Sequence, residues 1–230
     1  MKTIGLLGGM SWESTLPYYR IVNEVVRDQL GGLHSAKVVL WSVDFAEIEQ
    51  LQRAQRWGEA GQVLAQAARA LQAAGADCIV ICANTMHLVA PAIEAAVAIP
   101  LLHIADPTAR AIKAAGHEKV GLLGTAFTME QDFLKVRLRD HHGLQVLVPG
   151  AEDRALVHRI IYEELCRGRI EPASRAAYRA VMARLVADGA QSIILGCTEI
   201  SLLVSQDDAS VPLFDTALLH ARAAAEFALS

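Results

Sequence analysis

Short apolar runs alternate along the chain with longer segments in which apolar residues recur every three or four positions. The runs at 2–7, Lys37–Ser42 and 99–103 predict strands, because runs of this length suit strands buried on both faces of a sheet. The amphipathic segments at 59–74 and 86–96 predict helices. Since strands that alternate with helices form parallel sheets with helices on both faces, the pattern predicts an α/β protein.

Two apolar runs end in a cysteine that is followed at once by small polar residues. The first reads CIVICANTMH over residues 78–87, and the second reads SIILGCTEI over residues 192–200. Ligands of open parallel sheets bind beyond the carboxyl ends of the strands. The pattern therefore predicts that Cys82 and Cys197 each lie at a ligand-binding edge.

The cysteine runs belong to a longer repeat. The segment TIGLLG at 3–8 returns as KVGLLG, offset by 116 residues, and the Gly-Ala pair before the first cysteine run returns 114 residues later. The segment IPLLH at 99–103 returns as VPLFD, offset by 112 residues. Three markers in one order at nearly one spacing indicate an internal duplication.

A duplication of this kind predicts two similar lobes related by a pseudo-twofold axis, each a short parallel sheet flanked by helices. We expect residues 1–103 with 209–230 to form the first α/β lobe and residues 104–208 to form the second. The active site is then expected in the cleft between them, at the carboxyl ends of the strands.

Composition and charge narrow the possible functions. The apolar fraction of 53% and the charged fraction of 20% are typical of a folded globular protein. A net charge of -4 provides no basic surface, so we expect no nucleic-acid partner. No apolar run approaches the ~20 residues of a membrane span, and no export signal is recognised, which predicts a cytoplasmic protein that binds no membrane.

Two thiols that face one ligand suit a particular chemistry. One thiolate can remove a proton from one face of a carbon while the other thiol delivers a proton to the opposite face. A helix that begins just after each cysteine would stabilise the thiolate. Asn84, Thr85 and Thr198 could donate hydrogen bonds to a substrate carboxylate. The residues therefore predict a cofactor-free racemase or epimerase.

The motifs resemble those of the cofactor-independent aspartate/glutamate racemases. IVICANTMH over 79–87 is similar to the first cysteine motif of that family, ILGCTEI over 194–200 to the second, and IGLLGGMS over 4–11 to its N-terminal strand and turn. The resemblance covers essentially the whole chain. It implies a two-lobed fold, a PLP-independent and metal-free racemase acting on an amino acid, and a homodimer.

The resemblance also implies roles for individual residues. Cys82 and Cys197 would be the paired acid and base. The substrate pocket would be lined by Met10, Ser11, Asn84, Thr85, Thr125 and Thr198. Glu199 would lie beside them, where glutamate racemases have a histidine, and this favours the aspartate-type branch.

The sequence leaves open which side chain the substrate has. A second carboxylate would require a cation, and the candidates lie outside the motifs, at Arg53, Arg56 and Arg167. Residues 162–165 are acidic where aspartate-specific relatives have a basic side chain, which leaves room for a broader amino-acid racemase. The alternatives are an isomerase or decarboxylase of a small dicarboxylate with one nucleophilic cysteine, or a non-catalytic small-molecule binding module.

Other chemistry-bearing residues have simpler interpretations. Cys78 and Cys166 are predicted to be structural, since buried cysteine behaves as a small apolar residue. Cys78, Cys82 and His87 do not match the spacing of an established zinc site. The buried histidines are interpreted as structural, with His87 the best catalytic candidate among them. Asp44 and Asp215 each end an apolar strand and are predicted to cap helices.

Overall fold

A computed structural model describes all 230 residues and divides the chain into two compact units. The first unit comprises Met1–Ile104 and His220–Ser230, and the second comprises Ala105–Leu219. Each unit contains one parallel sheet flanked by helices, so the predicted α/β class is confirmed. No helix is both long and apolar enough to cross a lipid bilayer.

The first unit is built on a three-stranded sheet with the order β2-β1-β3. Its elements are β1 (Thr3–Gly8), α1 (Trp12–Leu30), β2 (Lys37–Ser42), α2 (Phe45–Arg53), α3 (Trp57–Ala73), β3 (Cys78–Ile81), a 3₁₀ helix (Thr85–Val89) and α4 (Ala90–Glu94). Strand β3 is buried at every position, as a continuous apolar run requires. Gly5 lets β1 approach β3 closely, because a Cβ at this position would lie 2.7 Å from the carbonyl oxygen of Cys78.

The second unit is built on a four-stranded parallel sheet with the order β5-β4-β6-β7. Its elements are α5 (Ala105–Ala114), β4 (Lys119–Gly124), α6 (Ala126–Glu130), α7 (Asp132–His142), β5 (Gln145–Leu147), α8 (Ala151–Glu163), a 3₁₀ helix (Leu165–Arg167), α9 (Pro172–Ala187), β6 (Ser192–Gly196), α10 (Ile200–Leu203), a second 3₁₀ helix (Gln206–Asp208) and β7 (Leu213–Asp215). A last helix, α11 (Thr216–Leu229), contributes its residues from His220 onward to the first unit.

The two sheets share one topology. In each sheet the first strand of the unit, β1 or β4, lies between the next strand and the strand that precedes a cysteine. The match extends to single hydrogen bonds: the amide of Ile79 donates to Pro100 and the amide of Ile193 donates to Pro212, both at 2.9 Å. The duplication predicted from the three sequence markers is therefore present in the backbone.

The local structure differs from the sequence predictions in several places. The strand predicted at 99–103 is reduced to one bridge, between Leu101 and Ile79, whereas its repeat forms the three-residue strand β7. The helix predicted at 86–96 is a 3₁₀ helix followed by α4, because Pro91 lacks an amide hydrogen and lies in the first turn of α4. Helix α2 was not predicted; it begins after Asp44, whose side chain accepts from the amide of Ala46, so the predicted cap is confirmed.

The boundary between the units lies later than the sequence repeats place it. Residues 209–219 were assigned to the first lobe, but β7 pairs with β6 and therefore lies in the second unit. Asp215 ends β7 and caps α11, since its Oδ1 accepts from the amides of Ala217 and Leu218 at 2.9 and 3.1 Å. The predicted capping role of this residue is confirmed.

Candidate active site

In each sheet, a strand that pairs with the first strand of the unit is followed directly by a cysteine. Cys82 follows β3 directly, and Cys197 follows β6 directly. Both side chains are buried, with exposed fractions of 0% for Cys82 and 8% for Cys197. The predicted pair thus occupies the same position in the two repeated units, at the sheet edge where ligands of α/β proteins bind.

In the first unit, the side chain of Ser14 connects the turn after β1 to Cys82. Ser14 Oγ donates to the carbonyl oxygen of Ser11 at 2.8 Å and lies 3.3 Å from the carbonyl oxygen of Cys82. Thr15 Oγ1 donates to the carbonyl oxygen of Ser11 and accepts from the amide of Gly9, both at 2.9 Å. The sequence interpretation missed Ser14, although its place three residues after the helix-capping Ser11 was a signal that it faces the turn.

Gly9 is required for this turn. Its φ of +91° lies in the left-handed region, and a Cβ there would lie 2.3 Å from the carbonyl oxygen of Val43. The turn continues through Met10 and Ser11, which are joined by a cis peptide bond and are both buried. The two predicted pocket residues of this turn therefore belong to a tightly fixed segment beside Cys82.

The surroundings of Cys82 favour the neutral thiol. Burial raises the pKa of Cys82 well above its usual value. Its Sγ lies 3.7 Å from the carbonyl oxygen of Val80, a weak contact that a thiol hydrogen can make. A short 3₁₀ helix follows Cys82, and the expected stabilisation of the thiolate by a following helix stays a prediction.

Asn84 and Thr85 follow Cys82 at the start of that 3₁₀ helix and are both buried. The first unit therefore brings together four of the predicted pocket residues and one of the predicted catalytic thiols. Contact of these residues with a substrate stays a prediction.

In the second unit, one carboxylate gathers the polar groups around Cys197. Glu199 is only 3% exposed, and its Oε2 accepts hydrogen bonds from Cys197 Sγ at 2.9 Å and from Thr198 Oγ1 at 2.8 Å. On the other side, Cys166 Sγ lies 3.8 Å from Glu199 Oε1. The motif CTE thus forms a compact group in which the thiol hydrogen is directed at a carboxylate.

Electrostatics also favour the neutral form of Cys197. Burial, followed by the negative charge of Glu199 and the proximity of Cys166, raises the pKa of the Cys197 thiol well above its usual value. Burial likewise raises the pKa of Tyr178, which is affected further by Cys197 and by Glu164. The helix that follows, α10, has four residues.

Thr125 lies at the end of β4, the strand next to β6, and is buried. It caps α6, because its Oγ1 accepts from the amide of Thr128 at 3.2 Å. The amide of Ala126 donates to His158 Nδ1 at 3.1 Å, which fixes the same turn. Thr125 is therefore held at the predicted edge of the sheet, and its contact with substrate stays a prediction.

The sequence interpretation missed two residues of the second unit. Cys166 was interpreted as structural, but its sulfur lies beside the carboxylate of Glu199. Tyr178 is fully buried in the hydrophobic core next to Cys197 and donates to the carbonyl oxygen of Val157 at 3.4 Å. Neither residue belongs to a local motif, so only the packing of the hydrophobic core of the second unit could reveal them.

The candidate cations for a second substrate carboxylate are engaged on the surface. Arg53 forms an ion pair with Glu49 at 2.7 Å, and Arg56 forms a bidentate pair with Glu59. Arg167 is exposed and is the last residue of a short 3₁₀ helix. No group of three or more His, Cys, Asp or Glu side chains could hold a metal ion.

Two repeated α/β units, each with a buried thiol directly after the corresponding strand, define a class of duplicated α/β proteins with a cysteine pair. Comparison with known families makes the assignment specific. The family model for Asp/Glu/hydantoin racemases matches residues 7–224. The chain belongs to this family, and it is an isomerase of the racemase type; the resemblance seen in the sequence motifs is confirmed.

Solved structures agree with this assignment. A putative Asp/Glu racemase from Yersinia pestis is 60% identical, with complete coverage of both chains and a TM-score of 0.93. An aspartate racemase homologue from Pyrococcus horikoshii is 37% identical, again with complete coverage of both chains and a TM-score of 0.85. A glutamate racemase from Francisella tularensis in complex with D-glutamate is 15% identical; 96% of this chain matches 79% of that chain with a TM-score of 0.64, a likeness of fold alone.

Proposed function

We propose that the protein is a cofactor-independent amino-acid racemase in which Cys82 and Cys197 exchange the α proton on opposite faces of the substrate. The observation that carries the proposal is the equivalent placement of the two thiols, one directly after β3 and one directly after β6. Family membership supports the racemase reaction, and the duplicated thiols supply the two proton carriers that inversion requires.

The proton balance of the reaction is simple. One thiolate takes the α hydrogen as a proton, and the electron pair of the C–H bond stays on the substrate, delocalised into the α-carboxylate. The other thiol then donates its proton to the opposite face, where that electron pair forms the new C–H bond. Each turnover exchanges the two protonation states, so the enzyme is ready for the other enantiomer.

Glu199 gives Cys197 a route to the thiolate. Its Oε2 already accepts the thiol hydrogen at 2.9 Å, so transfer of that proton would leave a thiolate beside a neutral carboxylic acid. The pair then carries one negative charge, which costs less in a buried site than two adjacent charges. Cys82, whose sulfur lies against a backbone carbonyl and not against a carboxylate, would start as the proton donor in the same cycle.

The substrate carboxylate would be held by the polar groups that follow each cysteine. Asn84 and Thr85 are buried residues with hydrogen-bond donors, as an oxyanion in the transition state requires, and the Thr198 hydroxyl would turn from Glu199 to the substrate. Thr125 and the turn at Met10 and Ser11 would complete the pocket.

We expect the protein to recognise the side chain of the substrate without a dedicated arginine. The carboxylate of Glu199 lies beside Cys197, and the candidate arginines Arg53 and Arg56 bind carboxylates of their own helices. We therefore propose that neutral α-amino acids are accepted together with aspartate and glutamate. The homodimer and the cytoplasmic location stay predictions.

The test is a racemisation assay in deuterated water with single enantiomers of aspartate, glutamate and a panel of neutral amino acids, without added cofactor. Deuterium should enter the α position as optical rotation decays. Cys82→Ala and Cys197→Ala should each abolish both signals, whereas Cys78→Ala, at the start of the strand that precedes the first thiol, should retain them. No exchange with any amino acid, or full activity without Cys82, would contradict the proposal.

A further inference from the structure

The first unit contains a cluster of three buried histidines that the proposed reaction does not use. The ring of His87 lies 4.5 Å from that of His103 and 5.7 Å from that of His220, measured between centroids. All three side chains are buried. His220 is itself fixed, since its Nδ1 lies 3.0 Å from the hydroxyl of Tyr18 and its Nε2 lies 2.6 Å from the carbonyl oxygen of Leu102.

Both ring nitrogens of His87 have backbone partners. The amide of Ile104 donates to Nε2 at 3.2 Å, and Nδ1 lies 2.8 Å from the carbonyl oxygen of Ala83. An amide can only donate, so Nε2 must be unprotonated. The hydrogen of the ring then lies on Nδ1 and is donated to Ala83. The two contacts together define one neutral tautomer.

The carbonyl that accepts from His87 belongs to the residue directly after Cys82. The backbone amide of His87 also donates to the carbonyl oxygen of Asn84 at 3.0 Å. His87 therefore donates to two consecutive carbonyl oxygens, those of Ala83 and Asn84. They belong to the segment that contains the first thiol and the predicted hydrogen-bond donors to the substrate carboxylate. Through Nε2, His87 also joins this segment to Ile104.

Resting on the two-cysteine function proposed above, we propose that His87 is a positioning residue that fixes the Cys82 turn through its neutral imidazole. A shift of about 1 Å at a reacting group can cost on the order of 100-fold in rate, so a turn that carries a proton-transfer group must be held firmly. His87 is assigned no contact with the substrate. Its role is to keep the Cys82 sulfur in place.

The surroundings maintain the neutral form of the ring. Burial is the main reason that the pKa of His87 lies well below its usual value, and the neighbouring His103 and His220 lower it further. The titratable groups that face it are these two histidines, with the Tyr18 hydroxyl beyond His220. No carboxylate contributes to the shift.

Three variants separate the two hydrogen bonds. In His87→Asn the side-chain amide can replace Nδ1–H as a donor to Ala83, whereas His87→Leu removes both bonds. Tyr18→Phe is the matched control, because it removes only a hydroxyl from the same buried cluster. We expect kcat to fall by about 100-fold in His87→Leu, by less than about 10-fold in His87→Asn, and to change less than about twofold in Tyr18→Phe.

A second measurement does not depend on racemase activity. In His87→Leu, alkylation by iodoacetamide should accelerate at Cys82 but not at Cys78, which is buried in the preceding strand β3. Mass spectrometry of each cysteine peptide measures the two rates. Equal acceleration at both thiols would indicate general loss of stability and would overturn the positioning role. Unchanged Cys82 alkylation, or kcat within twofold of the wild type where the wild type racemises, would overturn it as well.

The two proposals fail in different ways. If the wild type racemises no amino acid, the proposed function fails, while the ratio of Cys82 to Cys78 alkylation still tests His87. If the wild type racemises and the His87 variants behave as the wild type, only the positioning role fails.

Discussion

The neutral state of His87 predicts that the protein loses stability in mild acid. In the unfolded chain this histidine binds a proton near its usual pKa of 6.5, but in the folded protein burial beside His103 and His220 holds its pKa well below that value. Below pH 6.5 the unfolded state therefore binds one more proton than the folded state. Stability falls by about 1.4 kcal/mol for each pH unit below 6.5, until the folded pKa is reached.

The assay is urea denaturation at pH 7.5, 6.5 and 5.5 on the wild type and on His87→Asn, which cannot titrate. The variant should be less stable at pH 7.5, because it loses the bond to Ile104, but its free energy of unfolding should fall less steeply in acid. The difference in slope between the two proteins is the contribution of His87. The same substitution at the exposed His34 is the control for loss of a histidine outside the buried cluster. Parallel slopes for the wild type and His87→Asn would refute the reasoning.

Two further predictions concern the second thiol and the first turn. Glu199→Gln removes the negative charge 2.9 Å from Cys197 Sγ, so the pKa of Cys197 should fall and its alkylation at neutral pH should accelerate. Racemisation should slow, because the amide cannot take the thiol proton. Alkylation of Cys197 that keeps the wild-type pH profile would contradict this prediction. Gly9→Ala should lower the free energy of unfolding by about 3 kcal/mol, because the new Cβ meets the Val43 carbonyl oxygen at a positive φ. Gly116 also has a positive φ but lies in open space, so Gly116→Ala should lower the free energy of unfolding by about 1 kcal/mol. Urea denaturation of both variants checks the prediction. Equal losses of stability would show that the contact with the Val43 carbonyl oxygen is unimportant.

The sequence reveals much of the fold because the duplication repeats its strongest signals. The apolar runs of β1, β3, β4 and β6 are buried on both faces, so periodicity marks them clearly. The weaker fourth strand of each half depends on tertiary pairing. In one unit it forms a single bridge at Leu101, and no local pattern distinguishes that bridge from a strand.

The sequence connects members of the candidate site that stand together in one motif, but it does not connect residues that join the motif only through folding. Cys197, Thr198 and Glu199 are consecutive, and the structure joins them through one carboxylate. Cys166 reaches the same carboxylate from more than thirty positions away, and no spacing rule connects it to the motif. The protonation of the thiols was also beyond the sequence, because burial at Cys82 determines it and burial depends on the whole unit.

The duplicated units keep the position of the thiol but differ in what holds it. After β3, the segment beyond Cys82 is fixed by the neutral ring of His87, which leaves the thiol against a backbone carbonyl and without a charged partner in its pKa shift. After β6, the thiol of Cys197 donates directly to the carboxylate of Glu199. A two-base reaction requires one carrier to begin as an acid and the other as a base. The two repeats differ around a shared strand end in the acceptor that each thiol faces: the carboxylate of Glu199 at Cys197 and the backbone carbonyl of Val80 at Cys82.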